Sequence, residues 1–150
     1  MQSRSIITAL ELIGLDDSTM PPGQVRKVLT FVEHCLADND EVRTYGGRLS
    51  LTGHHAIQIA PIKPSGLLPF NAVLSMVHFQ SELIQAGVPV RGAITIGDAA
   101  TRGPVFFGQG IADAERLRDE VALVPRVIVH PRLLREVELN ANLRAAQHTP

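Results

Sequence analysis

Two adjacent histidines, His54 and His55, stand at the start of an alternating apolar run in the segment LTGHHAIQIAP, residues 51–61. Imidazole nitrogens suit Zn²⁺, Mn²⁺ or Ni²⁺ and are poor ligands for Mg²⁺. Neighbouring residues of a strand point to opposite faces, so the two rings are not expected to share one ion. The pair is either a set of exposed turn residues, a metal site, or the place where a metal-binding carboxylate has been lost.

A second candidate is Glu11, which interrupts the apolar segment SIITALELI, residues 5–13. An acidic side chain in an apolar strand is costly unless it has a partner. Glu11 is therefore either a functional carboxylate or a residue on the outer side of a half-exposed strand. The only cysteine, Cys35, excludes an intramolecular disulfide and a Cys-based zinc finger.

The composition describes an ordinary globular chain of 150 residues, with 45% hydrophobic and 19% charged residues. This length predicts a single domain over residues 1–150 with a core of its own. The net charge of −1 comes with no basic run interleaved with aromatics, so no nucleic-acid partner is expected. The apolar stretch among the first residues is too short for a membrane span, and these residues lack a signal-peptide cleavage site. Both observations predict a cytoplasmic protein without a membrane partner.

Hydrophobic spacing and turn residues predict the elements that must position these side chains. A tight turn at Thr52-Gly53 is expected to join the second and third strands, and Gly87 to end the second helix. We predict strands over 5–13, 43–51, 55–61, 88–97 and 126–130, and helices over 24–38, 70–86, 110–122 and 131–146. A further short strand in the glycine-rich segment 98–108 is optional. The leading β-α-β-β-α-β order predicts an α+β, ferredoxin-like fold, an antiparallel sheet with helices packed on one face.

The segment VPVRGAITIGDAATRGPVFFGQGIADAERLRDEVALVPRVIVHPRLL, residues 88–134, resembles the second half of a class III nucleotidyl cyclase domain. The family has a strand of the RGAITIG kind, a loop to a glycine, a helix with an Ala and an Arg-Leu pair, and a strand preceded by Pro. ALELIGL and TGHHAIQI resemble its first strand and its hairpin. The resemblance covers residues 5–134 and is greatest to the bacterial branch that includes anti-phage pyrimidine cyclases.

This resemblance implies a homodimer that converts a nucleoside triphosphate to a 3′,5′-cyclic nucleotide and pyrophosphate with Mg²⁺ or Mn²⁺. Carried over position by position, the two metal carboxylates fall on Glu11 and on His54. Glu11 keeps the charge of the usual Asp, whereas His54 replaces a carboxylate by an imidazole. A transition-metal site made by Glu11 with His54 is the alternative to a vacated one.

The basic residues of the family's site are partly present. Arg116 is retained on the third helix, where it either holds a phosphate as a catalytic residue or is a surface charge, and Ala112 stands where many members have Asn. Arg91 and Arg48 are the candidate nucleotide-binding cations, and a structural role for Arg91 is equally compatible with its strand. The family usually continues into a further β-hairpin after the last helix, and the sequence shows no such segment.

Three functions are compatible with these residues. The first is a degenerate nucleotidyl-cyclase-homology domain that binds a nucleotide or a partner as a homodimer. The second is an active metal-dependent cyclase with unusual ligands. The third is a ferredoxin-like protein-interaction module without a nucleotide role.

Overall fold

The computed structural model describes residues 2–15, 19–37, 47–62 and 68–147. Its elements follow in the order β1 (Ser3–Leu12), α1 (Pro22–Ala37), β2 (Arg48–Thr52), β3 (His55–Pro61), α2 (Leu68–Gln85), β4 (Val90–Arg102), β5 (Val105–Phe107), α3 (Gln109–Glu120), β6 (Val127–Val129) and α4 (Pro131–Gln147). The α+β class is confirmed. Part of the predicted strand 43–51 lies outside the described residues, and β2 begins at Arg48.

The strands form one mixed sheet in the order β2-β3-β1-β4-β5, with β6 also paired to β4. β1 lies in the middle and runs antiparallel to both β3 and β4. β6 runs parallel to β4, which adds a parallel pair to the predicted antiparallel sheet. β4 is long enough to take β6 along one half and β5 along the other.

The side chains of β1 are buried on both faces of the sheet. Ile6 and Leu10 point to one face, where α1, α2 and α4 pack through Val28, Val32, Met76, Phe79, Leu83 and Leu133. Ile7 and Ala9 point to the other face, where α3 packs through Ile111 and Ala114. Three helices therefore pack on one face of the sheet, as predicted, whereas α3 packs on the other face.

Two glycines set the distance between α3 and the sheet. A Cβ at Gly110 would lie 2.3 Å from Cδ1 of Ile7 and 3.0 Å from the backbone of Gly97. A Cβ at Gly97 would lie 2.8 Å from the Cα of Gly110. Since only hydrogen atoms fit between the two backbones, α3 rests directly on β4 and carries its last turn to the end of β1 where Glu11 lies.

The predicted turns are confirmed. Gly53 has a φ of +58° and is followed by His54, whose φ is not positive, the combination of a type II′ hairpin turn. At the end of α2, the amide of Val88 donates to the carbonyl of Leu83 at 2.9 Å and Gly87, with a φ of +79°, to that of Ile84 at 3.0 Å. These are the two bonds of a glycine-ended helix. Within the described residues, no helix combines the length and hydropathy needed to span a membrane.

Candidate functional site

Three chemically active side chains share one row across the sheet. The strand register places Glu11 directly opposite His55 on one side and Arg91 on the other. Residues opposite each other in neighbouring strands point to the same face. Glu11 lies on the same face of β1 as Ile7 and Ala9, because every second residue of a strand points the same way. This is the face that α3 covers. The row therefore ends in the space beside the last turn of α3.

The hairpin turn brings His54 to the same place. Its carbonyl accepts a hydrogen bond from the amide of Leu12 at 2.8 Å, which fixes the turn against the end of β1. His54 Nε2 lies 3.9 Å from Oε1 of Glu11. The rings of His54 and His55 are 4.1 Å apart at their centroids and tilted by 40°.

The expectation that His54 and His55 cannot share an ion is wrong for this geometry. It assumed that both residues belong to the strand, whereas β3 begins at His55 and His54 belongs to the turn. Strand alternation does not apply to a turn residue, so the two rings lie side by side. One ligand atom from each of Glu11, His54 and His55 lies within 4.8 Å of the others.

Arg91 holds the carboxylate of Glu11. Its Nε donates to Oε2 at 2.5 Å, and its Nη2 forms an ion pair with the same oxygen. Both side chains are about one-fifth exposed, at 23% for Arg91 and 19% for Glu11. Nη1 of Arg91 points to the carbonyls of Arg118 and Ala122 at 3.4 and 3.5 Å, next to the C-terminus of α3 where a cation is favourable.

The last turn of α3 adds a second ion pair. Arg118 is buried, and its Nε and Nη2 donate to the two carboxylate oxygens of Asp119 at 2.8 and 3.2 Å. Asp119 Oδ1 also lies 3.8 Å from Nη2 of Arg91. Nη1 of Arg118 is buried without a hydrogen-bond partner among the described residues.

The surroundings change the titration of two of these groups. Burial, the neighbouring His54 and Arg118 lower the pKa of His55, against the opposing effect of Glu11 and Asp119. The hydrogen bond from Arg118 lowers the pKa of Asp119. The site thus contains the pairs Glu11–Arg91 and Asp119–Arg118, and Glu115 adds a further carboxylate 4.0 Å from Arg118.

Two predicted residues lie elsewhere. Arg116 is 62% exposed and pairs with Asp113 at 3.1 Å. Side chains two residues apart on an α-helix differ in direction by about 200° around the helix axis. Arg116 therefore points away from the side on which Arg118 is buried. Arg48 is exposed at the other end of β2, about 13 Å along the strand from Thr52. The structure thus brings Glu11, His54 and Arg91 together and leaves Arg116 and Arg48 apart from them.

Sequence reasoning missed Arg118 and Asp119. A signal for Arg118 was present, because it follows the buried residues Ile111 and Ala114 at the i, i+3, i+7 spacing of one helix face. A charged residue at a buried position of a helix needs a partner. Nothing in the spacing of Asp119 distinguishes it from an exposed helix residue.

No family model matches the sequence, and no curated protein matches it. Solved structures do. The guanylate cyclase domain of RhGC from Catenaria anguillulae, in complex with GTP, has a TM-score of 0.70 at 11% identity, covering 92% of this chain and 84% of that one. A non-canonical dimeric guanylyl cyclase domain of the RhoGC fusion protein from Blastocladiella emersonii has a TM-score of 0.66 at 12% identity, covering 93% and 86%.

A third similar structure is a class III adenylyl cyclase-like ATP-binding protein from Pseudomonas aeruginosa. Its TM-score is 0.55 at 12% identity, and the match covers 91% of this chain and 35% of that one. Identities this low establish the fold alone. The chain has the fold of class III adenylyl and guanylyl cyclase domains.

Proposed function

We propose that this chain is a degenerate nucleotidyl-cyclase-homology domain, which binds a nucleotide or a protein partner as a homodimer and does not cyclise nucleotides. The observation that carries the proposal is the ion pair between Arg91 and Glu11. It occupies the carboxylate at the position where the resemblance to the family places the first metal ligand.

The donor set does not fit the two hard cations that the cyclase fold implies. Mg²⁺ takes oxygen ligands and is bound through carboxylates, and a metal pair must clamp both the attacking and the leaving oxygen. Here one oxygen of Glu11 is bound by a guanidinium group, and His54 offers a nitrogen. Removing Glu11 from its pair would also leave the guanidinium of Arg91 partly buried without its strongest partner, which is unfavourable.

Binding without turnover is supported by a partly exposed arginine and by one of the similar structures. Arg91 is 23% exposed at the hairpin end of the sheet, and guanidinium groups bind phosphates well. The Pseudomonas aeruginosa protein is described as cyclase-like and ATP-binding. We propose Arg48 as a further contact to the nucleotide, at the other end of β2.

An active cyclase is the second candidate, and the position of Arg116 favours it. Its side chain points away from its own chain's Glu11 and is 62% exposed. An exposed arginine placed in this way can reach a second copy of the chain by leaving its pair with Asp113, as the homodimer of the family that the chain resembles would require. This candidate keeps Arg116 as the catalytic residue and Glu11 with His54 as the metal ligands.

The two candidates are separated by incubating the untagged protein with ATP, GTP, CTP and UTP, each with Mg²⁺ or Mn²⁺. CTP and UTP are included because the similarity to the pyrimidine cyclase branch stays a prediction. Products are identified by mass spectrometry, and E11A is the matched control. We expect no cyclic nucleotide. A cyclic product that disappears in E11A would overturn the proposal in favour of an active cyclase.

Assembly is tested by sedimentation at micromolar protein concentration, with calorimetric titration of each nucleotide in parallel. We expect a dimer, in keeping with the dimeric Blastocladiella emersonii domain. A monomer would contradict the proposed homodimer. A dimer that binds none of the four nucleotides would restrict the proposal to protein partners and would favour the interaction module.

A further inference from the structure

Three potential ligands converge at the hairpin end of the sheet without a carboxylate pair. Oε1 of Glu11 faces His54 Nε2 at 3.9 Å, and a ring nitrogen of His55 completes a triangle with edges of at most 4.8 Å. His55 lies directly opposite Glu11 in the strand register, and His54 is fixed by the turn. Glu11 and His55 are thus held by paired strands, and His54 by a two-residue turn in which its carbonyl accepts a hydrogen bond from the amide of Leu12.

We propose that Glu11, His54 and His55 bind one divalent transition-metal ion of the Zn²⁺ class, in place of the hard cations that the cyclase fold implies. Two imidazoles and one carboxylate are a donor set of Zn²⁺ sites that keep a fourth position open. Imidazole nitrogens favour Zn²⁺, Ni²⁺ or Cu²⁺ over Mg²⁺. The inference goes beyond the proposed function, because the ion needs no nucleotide in order to bind.

The distances suit closure around a small ion. Ligands about 2.0–2.1 Å from a tetrahedral Zn²⁺ lie about 3.4 Å apart. The ligand atoms now lie up to 4.8 Å apart, so each must move inward by about 1 Å or less to reach this spacing. None of the three side chains is exposed, and none is fully buried, so an ion can reach them from solvent.

Arg91 supports this site although it opposes a hard-cation site. It binds Oε2 of Glu11 and leaves Oε1 directed toward His54, so the carboxylate is oriented as a ligand through one oxygen. Hydrogen bonds of this kind to the far side of a ligand fix its position and tune the metal. A carboxylate that is shared between an ion and a guanidinium group contributes one oxygen to each.

The charge balance determines what takes the fourth position. Glu11 pairs with Arg91 and Asp119 with Arg118, and Glu115 adds one further carboxylate 4.0 Å from Arg118, so a divalent ion brings more positive charge than these side chains neutralise. This excess of positive charge favours an anionic oxygen, from hydroxide or from a phosphate, as the fourth ligand.

The test is calorimetric titration of the untagged, chelator-treated protein with Zn²⁺ and with Mg²⁺, without nucleotide. Visible spectra of the Co²⁺ complex provide a second measurement, since tetrahedral Co²⁺ absorbs strongly. We expect one Zn²⁺ per chain and no saturable binding of Mg²⁺. H55A, H54A and E11Q are each expected to weaken Zn²⁺ binding by at least about tenfold, the loss that disturbing even an indirect partner of a metal ligand produces.

Two variants serve as matched controls. H78A removes an exposed histidine of α2, and C35S removes the only thiol, which lies 4.0 Å from a carboxylate oxygen of Glu82. Both are expected to retain full binding, and circular dichroism of the metal-free proteins confirms that the variants fold. Binding that survives in H55A, or that is lost in C35S or H78A, would overturn the proposal. Because no nucleotide is present, these outcomes are independent of whether the domain binds or cyclises one.

Discussion

The two ends of the β1–β4 pair carry opposite charges in register, but they use them differently. At the hairpin end, Glu11 lies opposite Arg91 and the two form an ion pair. At the other end, Arg4 lies opposite Asp98, but Arg4 forms its ion pair with Glu136 of α4. Asp98 is exposed there and lines a cleft of about 240 Å³.

Burial explains the difference. Glu11 and Arg91 point to the face that α3 covers, at 19% and 23% exposure, and no other described carboxylate makes so close a contact with this arginine. Arg4 is 58% exposed on the opposite face, beside α4. The strand register places opposite charges next to each other. It determines which charges form an ion pair only where packing keeps other charged side chains away.

The largest effect is expected from breaking the pair at the hairpin end. R91A leaves the carboxylate of Glu11 partly buried without its guanidinium partner. It should lower the free energy of unfolding by about 2 kcal/mol, between the values for exposed and for buried pairs. This corresponds to a fall in Tm of roughly 4–8 °C for a chain of this size.

The matched control is the cycle with E11A and the double variant E11A/R91A, measured by urea unfolding. If the two side chains stabilise each other, the double variant should lose less stability than the two single variants together. Strictly additive losses would contradict the pairing.

An effect of similar size is expected at Gly110, since α3 connects the two ends. G110A places a methyl group 2.3 Å from Cδ1 of Ile7 and 3.0 Å from the backbone of Gly97. Overpacking of this kind costs about 1–3 kcal/mol, and it moves the helix that carries Arg118. Thermal unfolding measures the loss, and A112G, at an exposed position of the same helix, is the control for helix propensity. An unchanged Tm in G110A would disprove the close contact.

The ion pair at the cleft end is expected to contribute little. R4A should change the free energy of unfolding by no more than about 0.5 kcal/mol, because exposed ion pairs are screened by solvent. The same urea experiment compares it directly with R91A. A loss in R4A equal to that in R91A would refute the explanation by burial.

The smallest expected effect is on pH dependence, and it concerns the start of α4. His130 Nδ1 accepts a hydrogen bond from the amide of Arg132 at 3.0 Å, and burial together with Arg132 lowers the pKa of His130. A lowered pKa means that the unfolded chain takes up the proton first. The stability contributed by His130 is therefore present above pH about 6.5 and is lost as the pH falls below it.

Unfolding of the wild type and of H130N, followed at pH 7.5 and 5.5, isolates this contribution. Asn keeps an acceptor at the helix start and does not titrate in this range. The decrease in stability toward pH 5.5 should be smaller in H130N. An identical decrease in both proteins would assign the pH dependence to other groups.

Much of the fold was predictable from sequence, because the periodic elements are long and their turns contain glycines. The helix ending at Gly87 and the hairpin at Gly53 follow from local spacing and from the backbone freedom of glycine. The packing of α3 on the second face was not predictable in this way. It depends on the contact of Gly97 with Gly110, between segments whose sequence does not state their distance.

The site was predictable in part. Glu11 and His54 were identified from residue type and from the resemblance to a family, and both lie at the hairpin end. The pairing of Glu11 with Arg91 was not foreseen, because it depends on the register of β1 with β4. The position of His54 beside His55 depends on where the turn ends. If the strand began one residue earlier, the two rings would point to opposite faces of the sheet.

Carboxyl ¹³C NMR of the protein labelled at its glutamate side chains, with the Glu11 resonance assigned from E11Q, tests whether Arg91 keeps Glu11 from binding hard cations. Millimolar Mg²⁺ is added first, without nucleotide, and Zn²⁺ afterwards. If Arg91 holds Glu11 away from hard cations, the resonance stays in place with Mg²⁺ and moves with one equivalent of Zn²⁺. A saturable shift with Mg²⁺ would show that Glu11 binds a hard cation in spite of Arg91, and would contradict the proposed loss of the cyclase metal site.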